Sequence, residues 1–216
     1  MVVTDGKDDL CKTGLTKISG NKISLIGEIM EGTSIVNAPD VANEGIGTTA
    51  TILNTGKNTY LQDITLQNAL DYYGSNGTGR AVCLQDKGTQ TICKNVKMLS
   101  YQDTYYSNNN KGQYYFENSD IHGIVDFICG GGDVFFNKCT LTLEPGKGSY
   151  ITAPYTDGSD YGYVFDGCKI VGSATDSFTF GRSWGGTAKC AFLNTILDKN
   201  AAANIASTRW TTGGMN

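Results

Sequence analysis

Two aspartates in this 216-residue chain occupy corresponding places in a repeated stretch of sequence. Asp103 lies 11 residues beyond Ile92, which opens one copy of a seven-residue phrase, and Asp126 lies 11 residues beyond Tyr115, which opens the next. If successive copies stack as windings of one coil, residues in the same phase share a face about 5 Å apart, the spacing of neighbouring strands. Two carboxyls that close do not both ionise near neutrality. One keeps its proton and serves as an acid while the other stays charged. A nucleophile beside a general acid/base needs that pair. Taken alone, each Asp is more simply a turn residue. Context shifts the balance, because Asp126 stands between Val125 and Phe127 in the apolar stretch GIVDFICG. An unpaired charge there is costly. A cationic partner is expected, and Arg182 in FGRSWGG is the candidate. Its planar fork can fix and ionise a carboxylate.

The element that must position these groups is the phrase itself. It reads YLQDITL from Tyr60, ICKNVKM from Ile92, YFENSDI from Tyr115, FFNKCTL from Phe135, VFDGCKI from Val164 and AFLNTIL from Ala191. Its second residue is Leu61, Cys93, Phe116, Phe136, Phe165 or Phe192, and its seventh is Leu66, Met98, Ile121, Leu141, Ile170 or Leu197. The start-to-start intervals are 32, 23, 20, 29 and 27 residues. Irregular periods of this size, with strand patterning and no helical face, predict a solenoid of β coils in which each phrase is one rung of a continuous core. A β-sandwich is the simpler alternative, since its strands also alternate, but one recurring phrase with one internal pattern argues against it. KISLIGE from Lys22 and TATILNT from Thr49 read as further strands that fit the phrase poorly, and LQNALDYYG as strand and loop rather than helix. Cys93, Cys139 and Cys168 fall at inward positions and read as small core residues. Cys139 and Cys168 share a phase. A disulfide is within reach, but stacked side chains point the same way, so none is indicated.

Composition narrows the function. Lys and Arg number 17 against 21 Asp and Glu, a net charge of −4, which disfavours nucleic acid. No apolar run approaches a membrane span. The cysteines form no CxxC pair and there is one histidine, so a zinc site is not expected. His122, the lone histidine, is given no catalytic role, which argues against a Ser-His-Asp hydrolase. No basic segment followed by an apolar stretch opens the chain as a secretory signal would.

SYQDTYY at 100–106, GIVDFICG at 123–130 and FGRSW at 180–184 resemble, in order and spacing, the signature motifs of pectin methylesterases, and RAVCL at 80–84 resembles a fourth segment. The likeness runs from about Lys22 to Trp184. The resemblance implies an all-β fold, a right-handed parallel β-helix, with residues 1–216 as a single domain truncated at both ends. It implies hydrolysis of galacturonate C6 methyl esters in pectin by a monomeric enzyme without cofactor, in an extracellular or cell-wall setting. Asp126 would be the nucleophile, Asp103 the acid and then base, Gln102 an oxyanion donor and Arg182 the partner of Asp126. Trp184 would wall a sugar ring, and Val125, Thr187 and Thr48 would line the cleft. Arg80 stands where the family carries a second oxyanion glutamine, and Ser183 replaces a usual proline. Tyr105, Tyr106 and Tyr155 are as readily structural as sugar-binding. The rival functions are a polysaccharide lyase, whose aspartates would hold calcium, and an inactive β-helix that only binds sugar.

Overall fold

The computed structural model describes residues 14–39, 45–77, 79–146, 149–172 and 177–211. The chain ends, on which the expectation of truncation rests, lie partly outside this set.

The last four phrases are each a pair of short strands meeting at a corner and the first two are single strands, Tyr60–Asn68 and Thr91–Leu99, that bend there; the fourth residue makes the corner. That residue has positive φ in all six copies: Asp63 (53°), Asn95 (50°), Asn118 (49°), Lys138 (53°), Gly167 (62°) and Asn194 (49°). Asn, Asp and Gly are the residues that enter this region most readily, which explains the polar character of the position. The corner turns the second and the seventh residues of the phrase into the same interior.

Successive phrases then stack parallel and in register. Phe116 pairs with Phe136, Phe136 with Phe165, and Phe165 with Phe192. Their rings stack at 4.9, 4.4 and 4.4 Å between centroids. The seventh residues make a second column from Leu66 through Met98, Ile121, Leu141 and Ile170 to Leu197. Burying each such side chain contributes roughly 1.5–3 kcal/mol. The third wall is an eight-stranded parallel sheet of Thr16–Ile18, Ile52–Asn54, Leu84–Asp86, Tyr105–Ser107, Val125–Gly130, Ser149–Pro154, Phe178–Arg182 and Trp210–Thr211. Every coil passes once through this sheet and once through the phrase. The result is a right-handed parallel β-helix, and the parallel pairing rules out a sandwich of antiparallel sheets.

The poorly fitting segments have physical explanations. Ser24–Ile26 pairs with Tyr60–Gln62, but the next paired residues are Ser34 and Thr65, so extra residues bulge out at that corner. TATILNT belongs to the other sheet, where Ile52 pairs with Leu84. One short helix, Lys199–Asn204, was not expected; Asp198 caps it by accepting from the Ala201 N–H at 2.7 Å. Six residues are too few to show a helical period in the sequence. Cys93, Cys139 and Cys168 are buried and free. No described helix is long and apolar enough to cross a membrane.

Asp86 lies wholly inside the coil. Its Oδ1 accepts from Asn54 Nδ2 at 2.9 Å and from the Gly88 N–H at 3.0 Å, while Oδ2 has no partner among the described residues. Burial pushes this carboxyl up to about 6. Because the folded pKa exceeds the unfolded one, the folded state is favoured by this group at low pH and loses that advantage as pH rises through about 6. Asp86→Asn keeps the shape without the charge. It should melt above wild type at pH 8, by on the order of 2–3 kcal/mol in stability, with the gap closing towards pH 4. Thermal melts across this range check the sign.

Candidate active site

Asp103 and Asp126 occupy equivalent corners of successive coils, where the chain enters the eight-stranded sheet. Gln102 and Val125 form a parallel bridge, and the Asp103 N–H donates to the Val125 carbonyl at 3.2 Å. Both aspartates have positive φ, 57° and 50°. Against the coil above, the register slips between Val125 and Ile128, so the segment carrying Asp126 has one residue more than its neighbour from Tyr150 to Thr152. Such a bulge re-aims a side chain. The two carboxyls are nearly enclosed, at 4% and 1% exposure.

Arg182 ends the strand Phe178–Arg182, two coils beyond Asp126. It reaches back past the intervening strand Ser149–Pro154, its guanidinium 4.3 Å from the centre of the Tyr150 ring. Nε donates to Asp126 Oδ1 at 2.9 Å and Nη2 to Oδ2 at 2.5 Å. Burial raises the Asp126 pKa and this fork pulls it back. Asp103 has no such fork. Burial first, and then the charge of Asp126, push its carboxyl up to about 7. The two acids are therefore unequal: Asp126 is the readier to ionise, and Asp103 holds a proton near neutrality.

Around this pair, the Gln102 side chain has no hydrogen-bond partner among the described residues and Val125 is half-buried. Arg80 is exposed, forms no hydrogen bond or ion pair among the described residues, and lies close enough to pull the Asp103 pKa down. Trp184 sits on the loop after Arg182, its ring 5.6 Å from that of Tyr106 and 6.4 Å from that of Tyr155. Tyr106, Asn108, Asn110, Tyr155 and Trp184 line a cleft of about 550 Å³. Tyr106 links this cleft to the acids, since Asp103 is among the groups that raise its phenol. Thr187 lies farther along the Trp184 loop, its N–H donating to Asp157 Oδ1 at 2.5 Å. Thr48 is on an exposed turn, bonded to Gly45. Neither threonine makes a hydrogen bond to either aspartate. Tyr105 points into the core.

Two residues near the acids were not singled out from sequence. Tyr150 supports Arg182, and Cys129 lies beside Asp103. Strand alternation was the available signal for Cys129, since Ile128 faces the core. His122 is held by Glu144 at Nδ1 (2.6 Å) and Asp120 at Nε2 (3.0 Å). Burial opposes its charging, but these carboxylates raise its pKa to about 9, so it serves as an imidazolium clamp on the outer face of the coil. Among the described residues no group of three or more His, Cys, Asp or Glu is placed to hold a metal ion.

The pectinesterase family model matches residues 15–213. Pectinesterase 1 of Olea europaea is 34% identical over 127 residues, which is 57% of this chain and 34% of the relative. The solved pectin methylesterase from Yersinia enterocolitica superposes with a TM-score of 0.76 at 25% identity, covering 86% of this chain and 72% of that one. A pectin methylesterase solved in complex with a hexasaccharide gives 0.75 at 26% identity, covering 85% and 68%. The chain spans less than half the length of the curated relatives it matches. With nearly all of its described coils inside the matched region, and the fold of solved pectin methylesterases, this chain belongs to the pectinesterase family.

Proposed function

We propose that this chain hydrolyses the C6 methyl esters of galacturonate units in pectin, releasing methanol and leaving a free carboxylate. The observation that carries the reading is the pair of unequal carboxyls, one forked by Arg182 and the other pushed up to about 7. Asp126 attacks the ester carbonyl carbon. The Gln102 amide, with Arg80 beside it, donates to the oxygen that gains charge. Collapse expels methoxide, which takes the proton of Asp103 and leaves as methanol. Asp103, now a carboxylate, draws a proton from water. The water attacks the acyl-enzyme, and Asp126 is released as a carboxylate with Asp103 reprotonated. Arg182 keeps the nucleophile ionised and aimed. Trp184 packs on a sugar ring in the adjoining cleft, between Tyr106 and Tyr155. A related pectin methylesterase holds a hexasaccharide, in keeping with a polymeric substrate, and such a substrate puts the work outside the cell.

A lyase using calcium fits less well. Both Asp126 oxygens are engaged by the Arg182 fork, which leaves that carboxylate poorly placed to ligate a cation.

Four outcomes test the reading on highly methylated pectin. Methanol release should persist in excess chelator, and Asp126→Asn should lower it by roughly a thousandfold or more; equal release by wild type and variant would remove the proposed nucleophile. The acid role of Asp103 requires its protonated form, so kcat/KM should fall as pH rises through about 7. Arg182→Met leaves Asp126 buried without its cation. More alkaline conditions are then needed to ionise it, so the acid limb of the pH profile should move upward and the rate at pH 7 should drop by roughly a hundredfold. An acid limb that stays in place would show that Arg182 does not control the nucleophile.

A further inference from the structure

A second cavity, of about 320 Å³, lies behind the turn that carries Gln102 and Asp103. Gln67, Leu99, Ser100, Tyr101, His122 and Glu144 are in its wall. It shares no lining residue with the Trp184 cleft, and neither Asp103 nor Asp126 lines it. Strand alternation explains part of this wall. Met98 and Ile121 point into the core, so Leu99 and His122, one residue on, point outward. Tyrosines back the rest. The Tyr101 ring stacks on that of Tyr72 at 5.0 Å and meets that of Tyr73 edge-on at 5.1 Å. Tyr73 is 53% exposed, yet its hydroxyl donates to the Pro145 carbonyl at 2.9 Å, 72 residues on in the chain. That bond spans the two coils that carry the acids and pins the tyrosine group from outside.

The chemistry of the wall is that of a sugar site. Tyr101 offers an aromatic surface to the apolar face of a pyranose. The Gln67 amide and the Tyr101 hydroxyl make no hydrogen bond among the described residues, and Glu144 commits only Oε1, to His122. Donors and acceptors are thus both on offer, as a ring of hydroxyls requires. The charges set what else can enter. Glu144 and Asp120 hold His122 between them, Asp71 reaches the Tyr101 hydroxyl, and Lys97 pairs with Asp120 across the strands. Three carboxylates thus stand against one imidazolium and one ammonium, and a further carboxylate is repelled. We propose that this cavity is a second carbohydrate site, which takes an uncharged, methyl-esterified galacturonate unit and rejects the free acid. A polymer held there stays at high local concentration near the acids while its esters last, and stretches already de-esterified are let go. The choice of pectin as the polymer rests on the esterase reading; the preference for an uncharged sugar does not.

His122 is the sole histidine of the chain, so its ring resonances report on this cavity. In a chain carrying Asp126→Asn, which keeps esters intact, they are followed by NMR while methyl-esterified hexagalacturonate or its de-esterified counterpart is added. The ester should shift them to saturation, and the free acid should bind roughly fivefold more weakly or worse. Tyr101→Leu should weaken the ester about tenfold. Gln67→Ala, which leaves the tyrosines whole, should weaken it about threefold. Glu144→Gln keeps an acceptor for His122 without the charge, and should bring the free acid within about twofold of the ester. Each variant is first checked for cooperative melting. Resonances that ignore the ester, that respond equally to both hexamers, or that respond unchanged in both Tyr101→Leu and Gln67→Ala overturn the proposal. If they ignore the ester while wild type releases methanol from pectin, the second site falls and the esterase reading stands. If they respond while wild type releases none, the esterase reading falls and the sugar site stands.

Discussion

Backbone hydrogen bonds between successive coils fix the vertical register of this molecule, and the geometry around the acids follows from that register. The bridge between Gln102 and Val125 sets Asp103 beneath Asp126. The pairing of Thr152 with Gly181 places the strand that ends in Arg182 one level above Tyr150. A slip of one residue would reverse the face of every side chain on a strand. The columns of phenylalanine and aliphatic residues oppose such a slip, because it would put large apolar groups into water.

The corners do a second job. A left-handed residue lets the chain change direction without a loop, so the interior stays continuous from one ladder to the next. At the phrase this is structural, and Asn95 Nδ2 even donates to Asp63 Oδ1 on the coil below at 2.9 Å. At Asp103 and Asp126 the same conformation costs on the order of 1 kcal/mol for a residue with a side chain, and at Asp126 it falls within the bulged segment. The hydrogen-bonded coils on either side hold it.

Burial and charge are balanced differently at the acidic and basic groups of this chain. Asp126 is buried and forked by Arg182. Asp103 is buried beside a like charge and a thiol. Asp86 is buried among neutral partners, and His122 is clamped between two carboxylates. Removing solvent from an ion costs several kcal/mol unless partners replace the water. That rule orders these groups: the more complete the replacement, the more readily the charged form persists. Asp126 and His122 stand at one end and Asp103 and Asp86 at the other. In the proposed reaction, the inequality of Asp126 and Asp103 is what lets two identical side chains take the separate roles of nucleophile and acid.

The sequence by itself determined the coil. A recurring phrase with apolar second and seventh residues can be satisfied only by stacking, because one copy cannot bury its own face, and the equal offsets of Asp103 and Asp126 carry that periodicity into the acids. The motifs pointed to Arg182 as the partner of Asp126 for the same reason, since a charge in an apolar stretch demands a counter-charge. Tertiary structure decided the rest. The corner residue was invisible because backbone dihedrals are not written in hydrophobic pattern, and the helix at Lys199–Asn204 because six residues carry no period. The unequal pull on the two acids and the Tyr150 ring under Arg182 depend on contacts between different coils, as far as 56 residues apart in the chain. Such contacts exist only once loops of unequal length have been closed, and their lengths are not set by the phrase.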